Sequence, residues 1–309
     1  MKNICINWLH YRREYFDLVA YLLNGIKPEN KEKIHLNILT ITNHDHLFMN
    51  RLDGISHCIM SFPNQDYMTK VRWAVQQPYE YSVKLDEDIF VNSYLWDFLI
   101  ENVGVLDNPK NAAMSSLLSN GIPTGDQFVR EFFDWKDQVK INKIILNTPL
   151  PHIWGVDYSF LSKHTVGASH WDSQAFYESV RTLNHYYKGI HPVRVSLEAQ
   201  ELILELLLKP KYVQKFLDKQ DYSLERSKLP YMCNSFFFVK TSKWKYLVEN
   251  QELYRDGFEE VNLNLDFERN NLDWVFVKNG FGIHTKYNTR GEQDVEDNFY
   301  REFSREIIL

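Results

Sequence analysis

The segment YSVKLDEDIFVNSYLW, residues 81–96, places three consecutive acidic residues between two apolar runs. The run before Asp86 predicts a buried strand, and the pattern from Ser93 onward predicts a helix with Ser93 as its cap. Acidic side chains beside a core are unfavourable unless a positive group meets them. The segment therefore predicts a charged site at the end of a strand and raises the question of which cation compensates Asp86, Glu87 and Asp88.

Strand and helix patterns alternate on both sides of this segment. Apolar alternation predicts strands over residues 3–10, 33–41, 54–62, 81–85 and 111–118. Helical spacing predicts helices over residues 12–28, 66–78 and 93–106, the first of them ending at Gly25 and Pro28. This order predicts an α/β fold with a mostly parallel sheet and helices on its faces. Ligands of such sheets bind beyond the carboxyl ends of the strands, where the acidic triplet lies.

The chain beyond the fifth strand has a less regular pattern. Residues 119–228 are rich in histidine, tyrosine and tryptophan and contain one clear helical pattern, over residues 196–209. Strand patterns return over residues 234–240 and 272–278. No internal repeat or low-complexity tract appears, and no linker forces a domain boundary. The sequence therefore predicts a single domain over residues 1–309.

The composition restricts the class of protein. A chain of 309 residues with 44% hydrophobic side chains is long enough to bury a sizeable core. Its formal net charge of −6 argues against nucleic acid as the main partner, because phosphate binding normally needs a basic surface. The cysteines Cys5, Cys58 and Cys233 are far apart and predict free thiols in a reducing compartment. No apolar run approaches the roughly 18 residues of a membrane span, and the N-terminus becomes charged too soon for a signal peptide. We therefore expect a cytoplasmic protein, with peripheral membrane contact left open.

Asp86 and Asp88 stand two residues apart on the turn after the predicted strand. Carboxylates placed in this way suit one Mg²⁺ or Mn²⁺ ion, which prefers oxygen ligands and completes its shell with waters and substrate phosphates. Such a metal neutralises the negative charge that develops on a diphosphate leaving group. The alternative is a solvated acidic turn. Lys84 could contact a phosphate or, equally, pair with a nearby acid. The buried strand before the triplet and the apolar residues after it favour the metal site.

The segment KLDEDIFVN, residues 84–92, resembles the DxD motif of glycosyltransferases with the GT-A fold. It is especially similar to the K-x-D-D-D-V-F-V-N form of β-1,3-galactosyltransferase-like families, and the chain also resembles family 2-like enzymes. Residues 254–289 resemble the stretch that carries the catalytic acid and a late metal-binding histidine in these enzymes. Residues 229–244 resemble the strand on the acceptor side. The resemblance covers about residues 1–118 and 229–290.

This resemblance implies a GT-A fold, a Rossmann-like mixed and mostly parallel sheet flanked by helices. Residues 1–118 would form the half that binds the nucleotide-sugar donor, most often a UDP-sugar. Residues 119–228 would be a variable insertion that shapes acceptor specificity, and residues 229–290 the acceptor and catalytic half, before a C-terminal tail over 291–309. The implied acceptor is a glycan, a lipid-linked glycan or a protein.

The resemblance also implies roles for individual residues. Asp86 and Asp88 would hold Mn²⁺ or Mg²⁺, and His284 would be a further metal ligand. Transfer with inversion needs a base at the acceptor hydroxyl, and Glu260 or Glu259 matches that position. The alternatives are that both glutamates are first-turn acids facing a helix dipole and that His284 is a hydrogen-bonded surface histidine.

Further residues are weaker candidates for contact with the donor or the acceptor. The end of the first strand would meet the nucleotide base through Asn7, Trp8 and His10. The helix before the acids would offer Lys70 or Arg72 to a phosphate, with a solvated helix face as the alternative. Asp86 would also contact the donor through its metal. The aromatic residues proposed for an acceptor wall are Trp154, Tyr158, Trp171 and Tyr177.

Two other classes of function compete with a glycosyltransferase. A nucleotidyltransferase also uses acids and a metal on an α/β sheet, but we would expect a glycine-rich phosphate loop near its N-terminus. The corresponding segment INWLHYRREYF, residues 6–16, contains no glycine. A carbohydrate-binding or scaffold protein on a similar fold would be favoured by loss of an acid or of the late histidine, and neither is lost here.

Overall fold

A computed structural model describes residues 3–11, 15–41, 51–63, 67–121, 124–147, 197–227, 232–250, 263–285 without 265 and 268, and 293–308. The chain forms two compact units. The first unit consists of Met1–Ser116, Asp218–Lys228 and Asn234–Gly282. The second unit consists of Leu117–Leu217, Leu229–Cys233 and Ile283–Leu309.

The described residues contain nine strands, which join in one mixed sheet in the order β3-β2-β1-β4-β8-β6-β9-β5, with β7 also paired to β9. The strands are β1 Ile4–Leu9, β2 Ile34–Thr40, β3 Ser56–Ser61, β4 Tyr81–Asp86, β5 Ile89–Val91, β6 Asn111–Leu118, β7 Ser223–Ser227, β8 Phe236–Lys240 and β9 Asp273–His284. Strands β3, β2, β1 and β4 are parallel, whereas β8 runs antiparallel to β4 and β6, and β7 runs antiparallel to β9.

Ten helices accompany these strands within the described residues. They are α1 Phe16–Asn24, α2 Pro28–Lys31, α3 Tyr67–Ala74, α4 Ser93–Glu101, α5 Thr124–Phe132, α6 Trp135–Asn147, α7 Leu197–Leu207, α8 Pro210–Leu217, α9 Thr241–Glu249 and α10 Gln293–Ile308. A 3₁₀ helix, Val103–Asp107, follows α4. No helix in this part of the chain is both long and apolar enough to cross a membrane.

Strands β1, β2 and β4 are buried along almost their whole length, as expected for a sheet covered on both faces, whereas β3 at the edge is half-buried. One polar row crosses them, because Asn7 is paired in register with Asn37 on β2 and with Lys84 on β4. Asn37 is in turn paired with Cys58 on β3 and donates a hydrogen bond of 2.9 Å to Asn7 Oδ1. The row therefore satisfies its own polar groups and leads across the sheet to the strand that ends at Asp86.

The second unit has an aromatic core of its own. Phe132 and Phe133 of the α5 end pack against Tyr212 of α8, with ring centroids 5.7 and 4.9 Å apart. Phe216 of α8 packs against Phe303 of α10 at 5.6 Å. These contacts join helices that lie far apart in the sequence.

The structure confirms the α/β class and a mixed sheet flanked by helices, but it corrects several details. The helix cap is Asn92 and not Ser93, since Asn92 Oδ1 accepts a hydrogen bond of 2.8 Å from the Leu95 N–H group. Pro28 does not end α1 but begins α2, the first helical position that proline favours. The predicted segments did not include the short strands β5 and β7, the helices α2, α5, α6, α8 and α9, or helix α10 of the C-terminal tail.

Candidate functional site

The acidic triplet lies at the carboxyl end of β4. Asp86 is the last residue of β4, Glu87 and Asp88 form a tight turn, and Ile89 begins β5. Strand β4 lies beside β1, whose other neighbour is β2. From β1 the chain therefore continues to β2 on one side of β1 and later returns to β4 on the other side. Open α/β sheets bind ligands in the crevice that forms at such a point.

The positive group that meets Asp86 is Lys84. Its Nζ donates a hydrogen bond of 2.6 Å to Asp86 Oδ1 and another of 2.7 Å to the Asn234 carbonyl oxygen. Residues two apart in a strand share a face of the sheet, which explains how the two side chains meet. The Lys84 side chain is buried, whereas 27% of the Asp86 side chain is exposed. Of the two alternatives for Lys84, the structure therefore shows the pairing with a nearby acid.

Glu87 connects the turn to the segment that follows β1. Its Oε2 accepts a hydrogen bond of 2.6 Å from the Tyr11 N–H group. The backbone after β1 and the turn after β4 are thereby joined across the point where the connections of the sheet diverge. Asp88, the third acid, is buried.

Lys70 of α3 is fully buried and lies close to this turn. Its Nζ lies 3.5 Å from the centre of the Tyr11 ring, and no acceptor in the described residues forms a hydrogen bond with it. Burial lowers the pKa of Lys70 to about 8, although the negative charge of Glu87 opposes that shift. A buried ammonium group without an acceptor is unfavourable, so an anion at this position would stabilise it.

The two basic candidates on α3 are placed differently. Lys70 faces the interior beside Tyr11, whereas Arg72 is exposed. Residues two apart on a helix point away from each other, which accounts for the difference. The prediction that one of the pair meets a phosphate therefore fits Lys70 better than Arg72.

The three candidates on and after β1 are all buried. Asn7 belongs to the polar row of the sheet, where its amide donates to the Val83 carbonyl oxygen at 3.4 Å. The Trp8 ring packs edge-on against His10, with centroids 4.9 Å apart, and against Phe16 at 5.3 Å. Asn7 and Trp8 therefore face opposite sides of the sheet, and Asn7 already has structural partners.

His284 belongs to the second unit, whereas Asp86 and Asp88 belong to the first. It is the last residue of β9 and is buried, not a surface residue. The backbone N–H group of His284 donates to Ser119 Oγ at 3.0 Å, and the Ser119 hydroxyl lies 3.2 Å from the His284 carbonyl oxygen. The candidate bases Glu259 and Glu260 lie outside the described residues, as do the four aromatic residues of the expected acceptor wall.

The chemistry of the turn suits a hard divalent cation. Mg²⁺ is commonly held by one or two carboxylates together with substrate phosphates, so Asp86 and Asp88 supply the type of ligand it requires. No group of three or more His, Cys, Asp or Glu side chains that could hold a metal occurs in the described part of the chain. A cation at Asp86 would share that carboxylate with the Lys84 ammonium group.

A cavity of about 370 Å³ lies elsewhere in the first unit, at the opposite end of β4. Lys240 lines it and is paired in register with Tyr81, the first residue of β4. The Lys240 ammonium forms ion pairs with Glu80 and Asp107, and Lys243, which also lines the cavity, pairs with Asp266 at 3.2 Å. Both lysines of the cavity therefore have acidic partners.

Sequence reasoning missed two contributors to the site, Tyr11 and Asn234. Tyr11 provides both the ring beneath Lys70 and the N–H group bound by Glu87, and Asn234 provides a carbonyl acceptor for Lys84. Neither role has a signal in the sequence, since each residue acts largely through its backbone or through a contact between distant segments.

No protein-family model matches this chain, and no curated protein is significantly similar to it. The residues of the acidic turn and their surroundings are therefore the basis for proposing a function.

Proposed function

We propose that this chain is a metal-dependent glycosyltransferase that moves a sugar from a nucleotide-diphospho-sugar, with UDP as the expected nucleotide, to an acceptor hydroxyl. The observation that supports it most is the position of the Asp86–Asp88 turn, at the carboxyl end of β4 and joined to the segment after β1. That is where open α/β sheets bind nucleotides. The resemblance of residues 84–92 to the DxD motif supplies the class of reaction.

The residues of the first unit would each have a defined task. Asp86 and Asp88 would hold Mn²⁺ or Mg²⁺, which when bound would neutralise the charge that develops on the leaving diphosphate. Lys84 would keep the Asp86 carboxylate in place through its 2.6 Å hydrogen bond. Lys70 would donate to a phosphate oxygen and thereby gain the acceptor that the described residues do not give it.

Other roles in this proposal come from the resemblance alone. Glu260, or Glu259 in its place, would take the proton of the acceptor hydroxyl, which corresponds to inversion at the sugar carbon. His284 would complete the metal shell. The acceptor would be a glycan, a lipid-linked glycan or a protein.

Calorimetric titration of UDP, with and without Mn²⁺, tests the proposal. We expect the wild-type chain to bind UDP at least about tenfold more tightly with Mn²⁺, because the metal links the diphosphate to the turn. Asp88→Ala and the isosteric Asp88→Asn should both lose this metal dependence. Asp53→Ala, which removes an exposed carboxylate of the same unit, should leave it unchanged.

The result is interpretable only if the variants fold, because Asp88 is buried. Circular dichroism and the melting temperature of each variant provide that control. A wild-type chain indifferent to UDP and Mn²⁺ would contradict the UDP-sugar form of the proposal, and GDP, CDP and dTDP would then be titrated in the same way. Failure of all four nucleotides would favour the carbohydrate-binding scaffold. Release of diphosphate from a nucleoside triphosphate would favour the nucleotidyltransferase.

A further inference from the structure

Helix α6 of the second unit carries an exposed face that combines apolar and basic side chains. We call it the α6 face, and its five exposed residues are Trp135, Lys136, Val139, Lys140 and Lys143. Their spacing of one, three and four residues places them on one side of a helix. Asp137 and Ile141 are buried on the other side. The sequence thus gives α6 an outward face that is basic and apolar and contains no acid.

The apolar part of the α6 face is unusual for a protein surface. The Trp135 side chain is 70% exposed, the largest value among the large apolar residues described, and Val139, one turn later, is 43% exposed. The remaining exposed large apolar residues lie singly on other helices: Tyr21, Tyr94, Tyr246 and Ile308. A single exposed residue needs no explanation, but an indole and a valine on adjacent turns form a patch.

The charged residues of the α6 face are all basic, namely Lys136, Lys140 and Lys143. Asp137, the acid of this helix, is buried on its other side and pairs with Lys140. Lys209 and Lys211 pair with Asp137 and Asp134 and are not part of the α6 face. The α6 face is therefore basic in a chain of net charge −6.

We infer that the α6 face docks on the surface of an anionic lipid bilayer. A helix of 13 residues is about 20 Å long and would lie in the plane of the membrane. The indole of Trp135 suits the headgroup boundary, where one side of the ring is apolar and the N–H group remains in a polar layer. The lysines would approach lipid phosphates and keep their aliphatic stems beside the apolar layer.

A soluble polyanion fits the same face less well. RNA or an acidic protein would meet the lysines, but Val139 beside Trp135 offers no stacking surface and gains only from an apolar environment. The inference does not depend on the proposed transferase activity. If both are correct, docking would concentrate the enzyme where a lipid-linked acceptor is found.

Flotation with vesicles tests the inference on the full chain. Vesicles of phosphatidylcholine alone are compared with vesicles that contain about 30% phosphatidylglycerol, in low and in high salt. We expect binding to the anionic vesicles only, and release in high salt. The combined variant Trp135→Ser, Lys136→Gln and Lys143→Gln should lower the partition coefficient at least about tenfold. Lys140 is left unchanged because it pairs with the buried Asp137.

A matched control uses an exposed aromatic residue and its neighbouring lysine on α9. Tyr246 is 59% exposed and Lys245 precedes it, so Tyr246→Ser with Lys245→Gln removes similar groups from another surface. This control should float like the wild-type chain. A charge-reversed variant, Lys136→Glu with Lys143→Glu, should not float at all. Circular dichroism and melting temperatures confirm that each variant folds.

Three results would overturn the inference. The first is equal binding to neutral and anionic vesicles, because the lysines would then have no role. The second is unchanged flotation of the combined variant while the α9 control also floats. The third is a wild-type chain that does not float but is retained on heparin, which would assign the α6 face to a soluble polyanion.

Discussion

Two regions of the molecule place buried carboxylates beside lysines, and they differ in how completely the charges are paired. The first is the acidic turn with Lys84 and Lys70. The second, which we call the Asp137 cluster, consists of Asp137, Lys140, Lys211 and Tyr212 in the second unit. Both regions join segments that are distant in sequence, but only the acidic turn has a buried cation beside it without a hydrogen-bond acceptor in the described residues.

The Asp137 cluster is a fully paired network. Lys140 and the Tyr212 hydroxyl each donate to Asp137 at 2.8 Å, and Lys211 donates at 3.3 Å. Burial raises the pKa of Asp137, but these hydrogen bonds outweigh it and bring the pKa down to about 2. The cations themselves are exposed and keep their hydration. Such a network connects α6 to α8, and the buried Asp137 carboxylate has several donors within it.

The acidic turn distributes its charges in the opposite way. Here the lysines are buried and Asp86 is partly exposed, so the cations depend on the protein or on a ligand for their partners. Lys84 donates to Asp86 and to the Asn234 carbonyl oxygen, whereas among the described residues Lys70 faces an aromatic ring and no hydrogen-bond acceptor. The comparison teaches that a buried cation without a hydrogen-bond acceptor in the described part of the chain, and not the number of charges, distinguishes a candidate ligand site from a structural network.

The largest effect is expected from Asp86→Asn, which tests whether the acidic turn is also needed for stability. The substitution removes the carboxylate that accepts from the buried Lys84 ammonium, which still donates to the Asn234 carbonyl oxygen. We expect the free energy of unfolding to fall by about 3 kcal/mol, because one partner of a buried ion pair is removed. Urea denaturation measures it.

Two further variants sharpen this prediction. Lys84→Met should cost less than Asp86→Asn, since the Asp86 carboxylate that remains can reach water. The control Glu225→Gln, which breaks an exposed pair with Lys278, should have almost no effect. If Lys84→Met and Asp86→Asn cost equally little, the pair would not differ from a surface salt bridge.

The second effect concerns the Asp137 cluster, through Asp137→Asn. The pKa of Asp137 is lowered from its ordinary 3.8 to about 2, which corresponds to about 2 kcal/mol of stability for the ionised form. This contribution is fully present above pH 3.8 and is lost as the pH falls through 2. We therefore expect the variant to be less stable at pH 7 and to lose less stability than the wild type between pH 4 and 2.

Asp134→Asn provides the matched control for Asp137→Asn. Asp134 pairs with the same Lys211, but half of its side chain is exposed. Its substitution should change the unfolding free energy much less, and thermal melts at a series of pH values compare the two. Equal losses for the two aspartates would mean that burial of Asp137 does not determine the strength of the cluster.

The third effect is an increase in the free energy of unfolding, and it tests the buried charge of Lys70 directly. Lys70→Met replaces a buried ammonium group by an apolar side chain of similar length, so we expect the chain to become more stable by about 1–2 kcal/mol at pH 7. The same variant should bind UDP with Mn²⁺ at least about tenfold less tightly, since a phosphate would lose its donor. Denaturation and calorimetry measure the two effects.

The pH dependence of this gain provides a further check. The pKa of Lys70 in the folded chain, about 8, is below its ordinary 10.5, so the unfolded chain binds more protons between these values. The destabilisation is complete below pH 8 and disappears as the pH rises to 10.5, and the advantage of Lys70→Met should shrink over that range. Lys278→Met, at an exposed lysine, should show neither the gain nor the pH dependence. If Lys70→Met were less stable than the wild-type chain, the Lys70 charge would not be unfavourable, and it would not distinguish the acidic turn from the Asp137 cluster.

The pattern of this sequence predicts the parallel half of the sheet well. Strands β1, β2, β3 and β4 agree with the predicted segments because continuous apolar runs and the intervening helical spacing depend only on local sequence. The same is true of Lys84 and Asp86, since residues two apart in a strand share a face. Local rules are sufficient for these features.

The rest of the site depends on contacts that local rules do not contain. The burial of Lys70 follows from the approach of Tyr11, which is 59 positions earlier in the chain. Strand β5 has three residues, which is too short for a periodic pattern. Helix α10 did have a signal, because Phe299, Phe303 and Ile307 recur every four residues and are all buried.

The smallest effect tests the support of the turn and not its charge. Asn92 follows β5 and caps α4 by accepting from the Leu95 N–H group, so Asn92→Ala should lower the free energy of unfolding by about 1 kcal/mol. Ser93→Ala should cost less, because Ser93 lies inside the helix and makes no cap bond. Neither substitution removes an acid of the turn or Lys70. Both variants should therefore keep metal-dependent UDP binding once their lower stability is taken into account. If Ser93→Ala cost more than Asn92→Ala, the cap would lie where the sequence pattern had placed it, and the start of α4, with the turn that precedes it, would be shifted by one residue.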